Sequence, residues 1–198
     1  MNKASHPVVF LDRDGTLNEE IGYIHNVDHL QLIPGAAEAI IRLNKAGVAA
    51  VLVTNQSGAA RGYYEEEHIL NLNKRLVDLL HREGARLDAV YYCPHLPDGV
   101  VEKYTSVCQC RKPEPGMVAQ AFEEHPNFDR RRSYVVGDKA TDVELAQKCG
   151  SKGVLVRTGY GEQVLDGTYQ WKVQPDYTAG DIRDAIEWIL SDLKANAV

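Results

Sequence analysis

Short apolar runs alternate along this chain with longer segments in which apolar residues recur every three or four positions. The short runs are rich in Val, Leu and Tyr, which is typical of β-strands, whereas the longer segments have the periodicity of amphipathic helices. Strands that are apolar throughout are buried on both faces, as in a parallel sheet covered by helices with right-handed crossovers. The sequence therefore predicts an α/β fold with a Rossmann-like, doubly wound, mostly parallel sheet. The predicted strands are PVVFLD, VAAVLVTN, DAVYYC, SYVVGD and KGVLVRTG, and the clearest helices are GAAEAIIRLNKAG, EEEHILNLNKRLVDLLHREG, DVELAQKCG and AGDIRDAIEWILSDLKA.

The size and charge of the chain narrow its class. Because 44% of its 198 residues are hydrophobic and no low-complexity linker interrupts them, we expect residues 1–198 to form a single domain. No run approaches the ~20 apolar residues of a membrane span, and the N-terminus lacks the apolar core of a signal peptide. A cytoplasmic monomer without a membrane partner is therefore expected. The formal net charge of -6 argues against a nucleic-acid partner.

Polar side chains follow three of the predicted strands. Because the ligand site of an open α/β sheet lies at the carboxyl ends of its strands, these groups are expected to meet. Carboxylates that meet repel each other unless a cation neutralises them, and an oxygen-rich cluster suits Mg²⁺. The absence of a G-x-x-x-x-G-K-[ST] loop and of a G-x-G-x-x-G fingerprint disfavours a nucleotide-binding enzyme, whereas a metal beside a lysine and hydroxyls favours phosphoryl chemistry. The groups are Asp12, Asp14 and Thr16, then Thr54, Asn55 and Ser57, then Asp138 and Asp142.

Each of these groups also has an ordinary structural explanation. Asp12 and Asp14 could form a turn and a helix cap, since Asp favours both. Thr54 could be a β-branched residue at a strand end, Lys112 a solvated loop charge, and Asp142 a residue favoured by the helix dipole. Their occurrence as an ordered set, with each group where the fold predicts a site, favours the functional interpretation.

Three of the four cysteines and one histidine lie in a single loop. Cys93 and His95 are two positions apart, as are Cys108 and Cys110, so each pair can point both side chains toward one ion. Four such ligands fill the tetrahedral shell of a structural Zn²⁺ site and leave no position for a catalytic water. The alternative is a set of unconnected buried thiols, which is how we interpret the isolated Cys149.

The motifs D-x-D-G-T, a strand ending in Thr, a Lys, and G-D-x-x-x-D occur in one order, and this set resembles the haloacid dehalogenase superfamily of phosphohydrolases. The resemblance implies that Asp12 is a nucleophile that forms an aspartyl phosphate, and that Asp14 is the general acid and base. It also implies that Thr54 and Lys112 stabilise the transferring phosphoryl group. The implied Mg²⁺ ligands are Asp12, the backbone carbonyl of Asp14, and Asp138.

Longer motifs sharpen the resemblance to the bacterial phosphatase family that acts on D-glycero-D-manno-heptose 1,7-bisphosphate. They run in order from about Val8 to about Gly159 and are FLDRDGTLN, GYIHN, VTNQSGAARGYY, CPH, CQCRKPEPGM and VGDKATD. That family has no large cap domain, and it removes the 7-phosphate in the synthesis of nucleotide-activated heptose for lipopolysaccharide or surface glycans. The resemblance implies that Asp142 orients neighbouring groups and that Arg111 holds the second phosphate with its guanidinium fork. The implied substrate contacts are Glu20, Tyr23, Asn55, Gln56, Ser57, Arg111 and Lys139.

The predicted zinc loop leads directly into the predicted active site, because Cys110 is followed by Arg111 and Lys112. We therefore expect the zinc-bound loop to position both basic side chains, since a loop with few apolar residues needs a rigid support. Two other functions stay open. A histidinol-phosphate phosphatase shares D-x-D-G-T and a zinc loop, but it is expected to continue differently after TNQ. A zinc-stabilised, non-catalytic binding module would carry the phosphatase residues as remnants.

Overall fold

A computed structural model describes residues 5–196 of the chain. The strands in this part are β1 (His6–Leu11), β2 (Ala49–Asn55), β3 (Ala89–Cys93), β4 (Phe128–Gly137), β5 (Lys152–Val156) and β6 (Tyr177–Ala179). They form one sheet in the order β3-β2-β1-β4-β5-β6, and every neighbouring pair is parallel. This order is that of a doubly wound fold, which confirms the predicted α/β class.

Helices cover both faces of the sheet. The α-helices of the described residues are α1 (Ala36–Lys45), α2 (Glu66–Arg82), α3 (Gly116–Glu124), α4 (Ala140–Cys149), α5 (Gly161–Asp166) and α6 (Ile182–Ala195). Successive strand residues point to opposite faces, so Val9 and Leu11 pack against α1, α2 and α6, whereas Val8 and Phe10 pack against α3 and α4. The apolar runs of the sequence are therefore buried on both sides.

Some elements differ from the sequence-based expectation. The strand β6 and the helices α3 and α5 were not predicted, and β4 begins at Phe128 rather than Ser133. The strand β6 has only 3 residues, α5 has only 6, and α3 begins at Gly116, which is a poor helix former. The first part of β4, before Ser133, carries charged residues, so its sequence pattern does not resemble that of a buried strand.

The strand order reverses between β1 and β4, and the crevice beyond their carboxyl ends is the expected ligand site of such a sheet. The two strands end level, because Leu11 pairs with Val136 and the Asp12 N–H donates to the Val136 carbonyl at 2.9 Å. Between β1 and α1 the chain forms turns and one short 3-10 helix, so no cap domain is inserted there. None of the helices in residues 5–196 has the length and apolar character needed to cross a membrane.

Candidate active site and metal cluster

A cluster of buried carboxylates lies at the point where the strand order reverses. Asp12, Asp138 and Asp142 each offer an oxygen within 4.8 Å of the others. Asp12 follows β1, Asp138 follows β4, and Asp142 lies in the first turn of α4. All three side chains are buried. Because an uncompensated charge is costly in the interior, such a cluster requires cations close by.

Lys112 supplies one of these cations. Its ammonium lies 2.8 Å from Asp12 Oδ1 and 2.7 Å from Asp142 Oδ1, and it donates to the Val53 carbonyl at 2.9 Å. Burial opposes the charged form of Lys112, but the two carboxylates outweigh it and raise the pKa of the lysine. Burial likewise opposes the charged form of Asp12, but nearby ammonium groups outweigh it and lower the pKa of Asp12. Asp12 is therefore ionised at neutral pH, as a nucleophile must be.

Lys139 is the second cation of the cluster. Its Nζ lies 3.2 Å from Asp138 Oδ1, 3.0 Å from Glu20 Oε2 and 3.9 Å from Asp12 Oδ2. Burial raises the pKa of Asp138 to about 7, Lys139 opposes this shift, and the charge of Asp12 adds to it. The chain alone thus leaves Asp138 only partly ionised near neutral pH. A divalent cation between Asp12 and Asp138 would favour the ionised form of both, so these residues fit a metal site.

Two glycines allow the backbone to close around Asp138. A Cβ atom built on Gly15 or Gly159 would overlap Asp138 Oδ2, and both glycines have positive φ, +80° and +56°. The Thr158 hydroxyl donates to the Gly15 carbonyl at 2.6 Å, and the Tyr160 N–H donates to Asp138 Oδ2 at 2.9 Å. The Gly of the D-x-D-G-T motif is therefore required by a close approach to the carboxylate.

Asp14 is held by a buried network of its own. Arg13 is 2% exposed, and its guanidinium contacts both carboxylate oxygens of Asp14 at 3.0 to 3.1 Å. Gln56 donates to Asp14 Oδ2 at 2.8 Å, and Asn18 donates to Oδ1 at 3.0 Å. Arg13 also donates to Asn73 of α2 at 3.0 Å. Sequence reasoning missed Arg13 and Asn73 because the motif leaves the position between the aspartates unspecified.

The end of β2 connects the sheet to the loop that carries Lys112. Asn55 Oδ1 accepts from the Lys112 N–H at 3.0 Å, and Asn55 Nδ2 donates to the Lys112 carbonyl at 3.1 Å. Asn55 lines the cavity, as expected of a substrate contact, but its amide is engaged with the Lys112 backbone. Thr54 is buried, and its hydroxyl accepts from Gln56 Nε2 at 2.9 Å. These contacts fix the Lys112 backbone and the Thr54 hydroxyl at the end of β2, from where the Lys112 ammonium reaches Asp12.

The structure brings together the four sulfur and nitrogen ligands predicted from the sequence. Five of the six pairs formed by the Sγ atoms of Cys93, Cys108 and Cys110 and the Nδ1 of His95 are 2.9 to 3.7 Å apart. All four residues offer ligand atoms within 4.8 Å of one another. The cysteines are free, and their sulfurs lie farther apart than the ~2.05 Å of a disulfide. Burial raises the pKa of both Cys93 and Cys110, so a metal ion must displace thiol protons when it binds. The cluster fits a four-ligand metal site.

The loop between these ligands also has apolar support. Leu96 and Tyr104 are buried in a small cluster with Ala60, and the Ala60 carbonyl accepts from the Val100 N–H at 2.7 Å. Sequence reasoning underestimated this anchor because only a few apolar residues contribute to it. Arg111 donates to the His95 carbonyl at 3.0 Å, which connects the predicted phosphate-binding arginine to the metal cluster.

A cavity of ≈ 510 Å³ opens above the carboxylate cluster. Asp12, Asp14 and Lys112 line it, whereas Thr54 and Asp138 are buried beside them. Every residue predicted to contact the substrate lines the cavity: Glu20, Tyr23, Asn55, Gln56, Ser57, Arg111 and Lys139. Sequence reasoning missed other lining residues, among them Arg61, Tyr64, Tyr160, Tyr169, Gln170 and Trp171. Several of these lie in the segment after Gly161, where no motif gave a signal.

Known proteins resemble this chain over most of its length. A family model described as HAD-hydrolase-like matches residues 109–185. The chain is 52% identical over 191 residues to the D-glycero-D-manno-heptose-1,7-bisphosphate 7-phosphatase of Thermosynechococcus vestitus, covering 94% of this chain and 97% of the relative. It is 46% identical to the D-glycero-beta-D-manno-heptose-1,7-bisphosphate 7-phosphatase of Escherichia coli K12, and the match covers 78% of this chain and 81% of that relative. The fold matches the crystal structure of D,D-heptose 1,7-bisphosphate phosphatase from B. bronchiseptica complexed with magnesium and phosphate, with a TM-score of 0.81 and 30% sequence identity. The match covers 94% of this chain and 99% of that structure's chain.

Proposed function

Since the chain belongs to the heptose 1,7-bisphosphate 7-phosphatase family of HAD-like hydrolases, we propose that it removes the 7-phosphate of D-glycero-D-manno-heptose 1,7-bisphosphate. The observation that carries this proposal is the buried ion pair of Asp12 and Lys112 at the base of a polar cavity. The name of the Escherichia coli relative specifies the β-anomer, which is our first choice of substrate. We propose further that residues 1–198 act as one monomeric cytoplasmic domain in nucleotide-heptose synthesis for lipopolysaccharide or surface glycans.

In the proposed reaction Asp12 attacks phosphorus and forms an aspartyl phosphate, while the bond between phosphorus and the C7 oxygen breaks. Asp14 donates a proton to the departing C7 oxygen and later accepts one from the water that hydrolyses the aspartyl phosphate. Inorganic phosphate leaves, and Asp12 is regenerated. The low pKa of Asp12 supports its role as the nucleophile, and the many donors that hold Asp14 support a fixed position for the proton-transfer group.

The two lysines and Thr54 stabilise the phosphoryl group during transfer in this proposal. The Lys112 ammonium already contacts Asp12, so it lies next to the charge that develops on the transferring oxygens. Asp142 accepts from the Lys139 N–H at 3.1 Å and pairs with Lys112, which supports a role in orienting both residues rather than binding metal.

Two different metals suit the two clusters. We propose that Asp12, the Asp14 carbonyl and Asp138 hold Mg²⁺, which supplies positive charge that lets an anionic nucleophile approach an anionic substrate. We propose Zn²⁺ for Cys93, His95, Cys108 and Cys110. Zn–S bonds of ~2.3 Å give a tetrahedron with sulfur–sulfur edges of ~3.8 Å, so the observed separations of 2.9 to 3.7 Å would widen by at most ~1 Å around the ion. Four protein ligands leave no open position, so this metal has a structural role.

The rest of the cavity holds the sugar and its second phosphate. Arg111 is fixed through one guanidinium nitrogen by the His95 carbonyl, and we propose that its remaining donors bind the 1-phosphate. Glu20, Tyr23, Gln56, Ser57 and Lys139 are proposed to contact the substrate near the reacting end. Tyr23 Oη lies 3.3 Å from Ser57 Oγ, so the two hydroxyls can bind one ligand oxygen between them.

Phosphate release from both heptose bisphosphate anomers with Mg²⁺, with histidinol phosphate measured in parallel, tests this function. We expect turnover of the heptose substrate and a loss of at least roughly 10⁴-fold in kcat for Asp12→Asn, because no aspartyl phosphate can form. Turnover of histidinol phosphate alone would assign the chain to that alternative. No turnover of any of these phosphates would support a non-catalytic binding module.

A further inference from the structure

One wall of the cavity is formed by Tyr169, Gln170 and Trp171, which follow the short helix α5. This cavity wall belongs to no motif, and no role in the proposed chemistry has been assigned to it. It lies beside the first turn of α4, which carries Lys139 and Thr141 into the same cavity. The question is what an aromatic segment contributes to a cavity otherwise lined mainly by charged and polar groups.

Gln170 anchors the cavity wall to the catalytic region. Its side-chain Oε1 accepts from the N–H of Ala140 at 3.0 Å, and Ala140 follows directly after Asp138 and Lys139. Gln170 has a φ of 57°, which is uncommon for a residue with a side chain and persists only where the surroundings fix it. The segment is therefore held in one backbone conformation next to the active-site helix.

Tyr169 and Tyr160 fix the cavity wall from its other end. Their rings stack with centroids 4.1 Å apart and planes 8° apart, and the Lys139 ammonium lies 5.2 Å from the Tyr160 centroid. The Tyr160 N–H donates to Asp138 Oδ2 at 2.9 Å. The cavity wall thus packs against Tyr160, whose backbone contacts Asp138.

Trp171 is the exposed member of the cavity wall. Its indole N–H donates to Glu144 Oε1 at 2.5 Å, which satisfies the polar edge of the ring and fixes its orientation. The side chain nevertheless remains 45% exposed. An oriented, half-exposed aromatic ring at the edge of a ligand cavity offers apolar area to a ligand with few conformations to lose on binding.

We propose that this cavity wall is a specificity element that binds the sugar ring of the substrate against the indole face of Trp171. The inference rests on the proposed function. A sugar bisphosphate presents two phosphates, for which Lys112, Lys139 and Arg111 suffice, and between them a sugar ring with C–H groups as well as hydroxyls. Trp171 offers those C–H groups an apolar surface on the side of the cavity next to α4.

The test compares Trp171→Ala with Trp188→Phe, which alters the only other tryptophan, a residue of α6 whose ring stacks on Tyr177 of β6. We expect Trp171→Ala to raise KM for the heptose bisphosphate roughly 3-fold to 10-fold with kcat within about 2-fold, the size expected for one lost aromatic contact. Acetyl phosphate, which has no sugar, should be hydrolysed with an unchanged KM. The Trp188→Phe variant should behave as the parent with both substrates.

A binding measurement separates contact from turnover. Trp171 is the only tryptophan in a variant with Asp12→Asn and Trp188→Phe, and we expect that variant to bind substrate without hydrolysing it. We expect saturating heptose bisphosphate to change the indole emission, and inorganic phosphate at the same concentration to leave it unchanged. Gln170→Gly tests the anchor, because Gly adopts a φ of 57° without strain while the contact with Ala140 is lost. This variant should fold normally and raise KM in the same direction.

The outcomes distinguish this inference from the proposed function. If the parent hydrolyses heptose bisphosphate but Trp171→Ala leaves KM unchanged and the emission does not respond, the inference is wrong and the function stands. If the parent hydrolyses acetyl phosphate but not heptose bisphosphate, the proposed function is wrong and the inference falls with it. A raised KM for acetyl phosphate would show general damage to the site and would also overturn the inference.

Discussion

The carboxylate cluster and the cluster of sulfur and nitrogen ligands lie at the same edge of the sheet but are held in different ways. Asp12 and Asp138 directly follow strands, and their charges are balanced by lysines that the chain itself supplies. In the second cluster only Cys93 belongs to a strand, whereas Cys108 and Cys110 lie in a long loop. The ligand atoms of this cluster contact one another rather than a cationic side chain. The protein itself supplies cations to the first cluster, whereas we propose that a metal ion holds the second together.

Lys112 belongs to both regions, so the way in which the second cluster is held affects the first, where the reaction takes place. Its backbone lies two residues after Cys110, and its ammonium lies among the buried carboxylates. The loop of the second cluster therefore delivers one of the cations on which the first cluster relies. Changes in the first region should abolish the reaction, whereas changes in the second should weaken it through the position of Lys112.

Among the changes that test how the two regions are connected, the largest effect is expected from Lys112→Met, which leaves Asp12 and Asp142 buried without their shared cation. We expect kcat to fall roughly 10³-fold, since the charge on the phosphoryl group loses its partner. The free energy of unfolding should fall by roughly 3 to 5 kcal/mol, as for a buried pair that loses one member. Phosphate release and urea unfolding measure the two effects, and Lys148→Met, on the exposed face of α4, is the control. A fully active variant would show that the two regions do not share this residue.

A smaller loss is expected when the metal cluster is broken by Cys110→Ser. The loop then positions Lys112 and Arg111 poorly, and we expect kcat/KM to fall roughly 10²-fold together with loss of bound zinc. Metal content and turnover in excess Mg²⁺ are the measurements. Cys149→Ser, at a cysteine outside the cluster, should change neither. If removal of zinc by a chelator left turnover unchanged while Mg²⁺ stayed present, the loop would not support catalysis.

Arg13→Lys tests whether the catalytic region needs the planar, many-donor guanidinium of Arg13 as well as its positive charge. Lysine keeps the charge but cannot contact both oxygens of Asp14, Gln56 and Asn73 at once. We expect kcat/KM for the heptose substrate, which reports the steps up to departure of the leaving group, to fall roughly 30-fold through misplacement of Asp14 as the acid. The kcat/KM of acetyl phosphate, whose acetate leaves without needing a proton, should be affected much less. An equal loss of kcat/KM for both substrates would mean that Arg13 does not act through the proton that Asp14 donates.

The smallest effect is expected for Asn55→Ala, which removes both hydrogen bonds to the Lys112 backbone. We expect kcat/KM to fall roughly 10-fold, because the metal cluster still holds the loop two residues away. Combining Asn55→Ala with Cys110→Ser should give a loss that is not the product of the single losses, since both changes act through Lys112. Independent losses would indicate that Asn55 acts on the substrate, as its place in the cavity also allows.

The sequence predicted the parts of the site that depend on local pattern. The fold class followed from the apolar strands, and the structure confirms it. The motif order located Asp12, Asp138 and Lys112, and the spacing of Cys93 and Cys108 with their partners located the metal cluster. Their catalytic and metal-binding roles stay predictions until they are measured.

The residues that were missed depend on tertiary contacts. Arg13 and Asn73 meet across 60 positions of the chain, and no local pattern shows that an arginine beside a motif aspartate will be buried. Gln170 reaches α4 across 30 positions, and its positive φ has no signal in a residue type that rarely adopts it. The strand β6 has only 3 residues and adds to the sheet only because β5 is already in place.

The pairing of Asn55 with Cys93 determines where the loop between Cys93 and Lys112 can change in length. Asn55 pairs with Cys93 in the register of β2 and β3, and the amide of Asn55 also holds the Lys112 backbone. Asn55 therefore contacts both ends of the loop, at Cys93 and at Lys112. Insertions and deletions can be absorbed at the exposed bend near Pro97 and Asp98. The two positions from Cys110 to Lys112 allow no such variation, because one added residue would carry the ammonium past its carboxylates.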